Sequence, residues 1–331
     1  MKKIKFGIVG YGNIGNRHAK HIVENEQAEL TAVASLEPKP DTLSCNYYQS
    51  LEAMLAAEEL DVLNVCTPNY LHCEHTLLGL QHGINVVCEK PMALSVKQCE
   101  QMIFASEENN KKLFVVKQNR HNPPVAEVKK LLHSGMLGDV YVVNINCFWN
   151  RNENYYAQSD WRGSKEKDGG CLFTQFSHFI DILYYLFGDV VVQSGLIKNF
   201  SHPYIDTEDS GIFLLETKKG GLINFNFSTT SYERNMEGAI SILAENGTVK
   251  IGGQYLNTIE YQKIKDHTIP AIAISAKAND YGLYQGSMSN HDLMIQNVID
   301  HLNGTAEMMT NAHEGKEVVS IIERMYASSN R

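Results

Sequence analysis

Residues 4–15, Ile-Lys-Phe-Gly-Ile-Val-Gly-Tyr-Gly-Asn-Ile-Gly, constrain the fold of this chain more than any other stretch. The first half is an apolar run of strand length. The second half carries Gly10-x-Gly12-x-x-Gly15 and leads into residues 16–25, which lack internal Pro or Gly and are predicted to be a helix with Ile22 and Val23 on one face. Glycines at these intervals let the chain turn tightly off a strand, bring its backbone close to a pyrophosphate, and seat the helix against the sheet. The helix N-terminus then offers N–H groups and a partial positive charge to the anion. A glycine triplet alone is weak evidence. A strand before it and a helix after it give it the context of a dinucleotide site, with Gly10, Gly12, Asn13, Ile14 and Gly15 as cofactor contacts.

Strand and helix signals then alternate. Residues 30–34 read as a second strand, whose tip should meet the adenosine ribose. Ser35 stands at that tip and Glu37 is the first acid. Glu37 within reach of the ribose favours NAD, whereas Ser35 with Lys39 nearby would tolerate a 2′-phosphate, so NADP stays open. A helix over 51–57 and a strand over 62–66 follow, the latter stopped at Thr67-Pro68-Asn69 because proline cannot continue a central strand. A helix over 71–82 leads to a strand over 84–88, which ends in Glu89-Lys90-Pro91. Residues 112–117 read as the last strand of this domain, and the polar run 118–124, ending in Pro123-Pro124, reads as a domain junction and ligand wall. This alternation calls for a parallel sheet covered on both faces, with ligands at its carboxyl edge. Ser35, Glu37, Thr67, Pro68, Asn69, His72, Glu89, Lys90 and Gln118 are therefore expected to line the cofactor.

A chain of 331 residues with 43% hydrophobic content exceeds one ordinary domain, so two are predicted: 1–122 for NAD(P) and 123–331 for substrate binding and oligomerisation. The balance of 29 Lys+Arg against 38 Asp+Glu, a formal charge of -9, is the wrong sign for a general nucleic-acid binder. Seven scattered cysteines without a C-x-x-C pair fit reduced core thiols better than disulfides. Lys2 and Lys3 run directly into the first strand, with no secretion-signal pattern and no apolar run of membrane-spanning length, so a soluble cytoplasmic protein is expected. Two histidine pairs, His18 with His21 and His72 with His75, lack a third ligand at suitable spacing; they read as ordinary residues on half-exposed helix faces, and no metal is expected.

Beyond a short helix over 125–133, residues 140–149, 190–198, 211–217, 221–229, 238–244 and 248–251 read as strands, mostly separated by short turns, which suggests a largely antiparallel sheet. Helices are expected over 290–302 and 314–328, the second with a core stripe of Val318, Ile321, Ile322 and Met325. The densest chemistry lies over 159–181. There Gly169-Gly170 opens a predicted helix whose Thr174, His178 and Asp181 recur at intervals of four and three and so share a face. By itself His178 is as readily a satisfied core histidine as a catalytic one.

Gly10-x-Gly12-x-x-Gly15, Thr67-Pro68, Glu89-Lys90-Pro91 and Gly169-Gly170 with His178-x-x-Asp181, in that order over nearly the whole chain, resemble the Gfo/Idh/MocA oxidoreductases. That family includes glucose-fructose oxidoreductase and inositol dehydrogenase. The resemblance implies an α/β chain: an N-terminal doubly wound Rossmann sheet, then a C-terminal α+β domain with a large, mostly antiparallel open sheet used for homo-oligomerisation, as dimer or tetramer. It also implies hydride transfer between a sugar-like alcohol and a nicotinamide. Many members carry Asp four residues before the histidine, where this chain has Thr174. In this and in Val116-Lys117-Gln118-Asn119-Arg120, Trp161-Arg162, Leu172-Phe173-Thr174-Gln175 and Gly286-Ser287-x-Ser289-Asn290-His291, the chain resembles one branch of the family. That branch oxidises UDP-N-acetylglucosaminuronic acid at C3 on the way to diacetamido-mannuronate of bacterial surface polysaccharide.

Oxidising a secondary alcohol removes the hydroxyl proton as hydride leaves carbon, so a base and a cationic or hydrogen-bonding group must flank that hydroxyl. Lys90 and His178 are the candidates, with His178 assigned as base and Lys90 as the group that positions the hydroxyl; the reverse assignment stays open. Thr174 and Gln175 are expected on the sugar. Arg120, Arg162, Ser287, Asn290 and His291 are candidates for its carboxylate and diphosphate, each equally readable as a structural contact, and Asn122 and Trp161 complete the substrate set. Asp181 either orients His178 or is a structural partner on the next turn. Two other readings stand beside this one: a dehydrogenase of a free sugar or polyol, and a cofactor-binding sensor without catalysis.

Overall fold

The computed structural model describes residues 2–272, 278–280, 282 and 285–330. Its chain divides into two compact units, Met1–Lys117 with His291–Val319, and Gln118–Asn290 with Ser320–Arg331. This partition differs from a single division at 122/123 in two places. The first crossing falls before Gln118, and a later segment returns to the first unit.

In the first unit β1 (Ile4–Val9), α1 (Asn13–Glu24), β2 (Ala28–Ala34), β3 (Asn46–Tyr48), α2 (Leu51–Ala57), β4 (Val62–Val65), α3 (His72–Gln81), β5 (Asn85–Cys88), α4 (Val96–Glu108) and β6 (Leu113–Val115) alternate as expected. The sheet order is β3-β2-β1-β4-β5-β6 and every neighbouring pair is parallel. All residues of β4 and β6 are buried, as in strands covered on both faces. Strand order reverses at β1 and β4, and ligands of such sheets lie beyond the carboxyl ends at that point.

Helix α1 starts three residues before the predicted residue 16, because Gly15 lies inside its first turn and Asn16 N–H already bonds to Gly12 O (3.0 Å). Strand β3 and helix α4 were not anticipated. The first has only three residues; the second is opened by Ser95, whose side chain accepts from Gln98 N–H. The returning segment contributes α9 (His291–Leu302), whose Met294, Ile295, Val298 and Ile299 join Phe6, Ile8, Ile22 and Phe114 in one core.

The second unit holds α5 (Pro123–His133), β7 (Val140–Phe148), α6 (Glu153–Tyr156), α7 (Cys171–Thr174), α8 (Ser177–Phe187), β8 (Val190–Lys198), β9 (Ser210–Thr217), β10 (Leu222–Ser228), β11 (Glu237–Ala244), β12 (Gly247–Gly252) and β13 (Thr258–Ile264). A small ribbon of β14 (Ala278–Asp280) and β15 (Gln285–Met288) follows, and α10 (Ala312–Ser328), which begins in the first unit and belongs to the second from Ser320, leads to β16 (Ser329–Asn330). Eight strands form one sheet in the order β13-β12-β11-β7-β10-β9-β8-β16. The β10–β7 and β16–β8 pairs are parallel and the others antiparallel, so the mostly antiparallel open sheet is present. One face packs Phe213, Phe225 and Phe227 with Trp149, Phe176 and Phe179. All seven cysteines are free, and six are buried. Among the described residues no helix is long and apolar enough to cross a membrane.

Candidate active site

The glycine triplet does what its spacing requires. Gly10 has φ +86, and a Cβ there would lie 2.8 Å from the Cys66 carbonyl; a Cβ on Gly15 would lie 2.0 Å from Gly10 O. Gly12, the N-cap of α1, has nothing within 4 Å of where its Cβ would stand, and no side chain caps the helix. The first-turn N–H groups, including those of Asn13 and Ile14, are thus left for an anion, and these residues fit a dinucleotide pyrophosphate. At the tip of β2, Ser35 is half-buried and Glu37 is exposed, its N–H donating to Ser35 Oγ (3.3 Å). Lys39, the candidate for a 2′-phosphate, donates through Nζ to Cys45 O (2.8 Å).

Histidines tie together the turns that follow β4 and β5. His72 lies between them, with Nε2 2.8 Å from Thr67 O and Nδ1 2.6 Å from Pro91 O. A neutral ring can donate to only one of these carbonyls. Burial keeps its pKa below the ordinary imidazole value, although both carbonyls and Glu89 favour the cation. His75 Nδ1 is 3.1 Å from Thr67 Oγ1, and Pro68 leads into a turn whose first residue, Asn69, is buried.

Glu89, expected on the cofactor, is instead buried among unit-one groups. Its Oε1 lies 2.8 Å from His18 Nε2 and 3.5 Å from His291 Nε2, and its Oε2 accepts from Lys90 N–H (3.0 Å). Burial alone would raise its pKa; the two histidines outweigh that and hold it well below the usual carboxylate range. Burial drives the His291 ring down to about 4. His18 and His72, each 1% exposed, are therefore not the half-exposed helix residues that their spacing suggested. The third ligand missing from the sequence pattern arrives through the fold: the ligand atoms of His18, Glu89 and His291 lie within 4.8 Å of one another. His291, expected on substrate, belongs to this buried group.

In the second unit His178 is the second residue of α8 and is buried. The single helix face expected for Thr174, His178 and Asp181 does not form. Phe176 N–H reaches back to Cys171 O and Phe179 N–H only to Phe176 O, a break that puts Thr174 on α7 and leaves His178 and Asp181 together on α8. Thr174 Oγ1 donates to the carboxylate of Asp168, whose other oxygen accepts from Gly163 N–H (2.5 Å). Asp181 accepts from Arg120 at both oxygens, from Nε at 3.0 Å and Nη2 at 2.7 Å. Arg120, a candidate for substrate oxyanions, is 1% exposed and has its fork on this carboxylate, the structural alternative for that residue.

Gln175 Oε1 accepts from Arg151 Nε (2.8 Å) and its amide donates to Tyr155 OH (2.6 Å). The Arg162 guanidinium stacks 4.4 Å over the Tyr155 ring and donates to Tyr155 O (2.9 Å), with the half-buried Trp161 ring at 5.8 Å. The distant motifs around 118 and 287 do converge. Gln118 donates to Ser287 Oγ (2.9 Å), and Asn290 donates to Asn122 Oδ1 (2.7 Å) and Gln118 O (3.1 Å). The turn Gln118–His121 packs against α8 and β15, and here Gln118 Oε1, Asn119 Oδ1 and Ser177 Oγ are buried without a partner. Such atoms are costly unless a ligand or water meets them, and they suit a polyhydroxylated one. Sequence reasoning missed Asp168, Arg151 and Tyr155. A carboxylate just before Gly169-Gly170 was visible, but nothing in the spacing pairs it with Thr174.

Two family models match: the oxidoreductase family's NAD-binding Rossmann fold over residues 4–117, and its C-terminal alpha/beta domain over 129–331. The chain is 33% identical to the WlbA dehydrogenase of Bordetella pertussis, solved with NADH and UDP-GlcNAcA, over 99% of this chain and 96% of that one (TM-score 0.89). It is 31% identical to the WlbA dehydrogenase of Chromobacterium violaceum, solved with the same ligands, over 99% and 94% (TM-score 0.90). It is 30% identical to an inositol 2-dehydrogenase of Rhizobium meliloti over 81% and 82%. The protein belongs to the Gfo/Idh/MocA family of oxidoreductases, with the family's NAD-binding Rossmann domain followed by its C-terminal alpha/beta domain.

Proposed function

We propose that the protein is an NAD-dependent dehydrogenase that oxidises the C3 hydroxyl of UDP-N-acetylglucosaminuronic acid to the 3-keto sugar nucleotide, in the synthesis of bacterial surface polysaccharide. The observation that carries this reading is end-to-end likeness to two dehydrogenases solved with NADH and UDP-GlcNAcA, at identities above those that speak for fold alone. In the proposed reaction NAD accepts the hydride, His178 takes the hydroxyl proton, and Lys90 positions the hydroxyl and stabilises developing alkoxide charge. Thr174 donates its proton to Asp168, so toward a sugar hydroxyl it would act as an acceptor. The protein is proposed to work in the cytoplasm as a homo-oligomer. Supporting this, one face of the large sheet exposes Leu196, Ile212, Leu214, Leu222 and Leu243, an apolar patch of the kind a second copy covers.

Likeness to an inositol 2-dehydrogenase favours a second reading, a polyol dehydrogenase. Absorbance at 340 nm separates the two. Growth on adding UDP-N-acetylglucosaminuronic acid alone, reversed when a keto acid is then added to reoxidise the cofactor, supports the first. Growth with inositol or glucose alone replaces it with the second, and none with any of them leaves a sensor.

A further inference from the structure

We propose that Glu89 is a positioning residue for Lys90, and that His18 and His291 are the groups that let it remain an anion in a fully buried place. The proposal rests on the dehydrogenase reading. Glu89 is 5% exposed, yet each of its oxygens has work: Oε1 is 2.8 Å from His18 Nε2 and 3.5 Å from His291 Nε2, and Oε2 accepts the N–H of Lys90 at 3.0 Å. Asn64 Nδ2 donates to His18 Nδ1 (2.7 Å), which puts the His18 proton on Nε2, aimed at the carboxylate. The turn is held at both ends, by Glu89 N–H on Val65 O (3.0 Å) and by His72 on Pro91 O, so Lys90 hangs between two fixed peptides.

Three elements meet at this one carboxylate: the dinucleotide helix α1, the tip of β5, and α9. That convergence gives the returning segment a task beyond core filling, since its first residue supplies the second imidazole. The titratable and charged groups around Glu89 are His18 and Arg17 on α1, Cys66 and Cys88 at the strand ends, His72 on α3 and His291 on α9. Removing this carboxylate takes away the acceptor of the Lys90 N–H and so frees the peptide that carries the amine.

The test compares Glu89→Gln, His18→Gln and His18→Leu with wild type in UDP-sugar-dependent NADH formation. Glu89→Gln and His18→Leu should lower kcat by about tenfold or more, while KM for NAD stays within threefold. His18→Gln, which keeps an N–H donor at similar reach, should recover most of the loss. A purely structural cluster would lower Tm and leave kcat within twofold, which overturns the proposal. One equivalent of metal per chain, lost in Glu89→Gln, would also overturn it. Should wild type oxidise no sugar, the dehydrogenase reading fails by itself. The carbon-13 NMR signal of dimethylated Lys90, assigned by its absence in Lys90→Arg, then still decides this proposal: its chemical shift at one fixed pH should differ between Glu89→Gln and wild type, and an unmoved signal refutes the coupling.

Discussion

Lys90 and His178, the two side chains proposed to handle the substrate proton, are supported by different physics. Lys90 follows a buried anion balanced by imidazoles, in a turn held by the hydrogen bonds of several residues. His178 stands three residues before Asp181, whose two oxygens accept from the fork of the Arg120 guanidinium. The His291 ring, near 4, gains its proton only in acid, whereas a guanidinium keeps its charge throughout. The cluster next to Lys90 is therefore adjustable by acid and the pair on the helix of His178 is fixed, so variants and acid should affect the two differently.

The comparison breaks most visibly at the reacting groups themselves. Lys90→Met and His178→Asn should each lower kcat by about 10²- to 10⁴-fold, the range of general acid–base groups. A variant keeping more than a tenth of wild-type kcat would remove that residue from the chemistry. Next in size is the fixed support: Asp181→Ala should cost about 3–5 kcal/mol in urea unfolding, because it leaves the Arg120 guanidinium buried without its anion. A loss below about 1 kcal/mol would mean that water or another group replaces Asp181.

Acid should then reach the adjustable support. His291 titrates near 4 in the folded chain and near 6.5 when unfolded, so between those values the unfolded state binds more protons. Stability from this site is complete above about 6.5 and falls as pH drops toward 4, by up to about 1.4 kcal/mol per pH unit. Glu89, its pKa depressed, adds a loss in the same direction only at lower pH. Chemical denaturation of His291→Asn across this window should show a shallower slope, and an unchanged slope would put the titration elsewhere. The smallest expected effect on activity is at the exposed sheet face: Leu214→Glu should yield smaller species in light scattering, with kcat within twofold. Unchanged mass would exclude that face as the contact between copies.

Most of the fold was legible because its signals are local. The glycine triplet, the proline that ends β4 and the alternation of β9 and β10 each dictate structure within a few residues. The candidate site was legible as motifs and far less as contacts. His18 and His72 looked ordinary because their partners, Glu89, Thr67 O and Pro91 O, are set by tertiary packing rather than helical spacing. Arg120 showed a cation in a polar run, but its anion lies sixty-one residues away. Thr174 and His178 fall at helical spacing in the sequence, and the break between α7 and α8 that separates them has no Pro or Gly to announce it. The return of residues 291–319 to the first unit was hidden for the same reason, since an amphipathic helix does not state which sheet it will cover.

The most direct measurement of the central claim is a single-turnover spectrum of protein and NAD mixed with stoichiometric UDP-N-acetylglucosaminuronic acid. The account predicts a band at 340 nm approaching one NADH per chain, lost in both Lys90→Met and His178→Asn. No band with this sugar nucleotide, or an undiminished band in either variant, would contradict it.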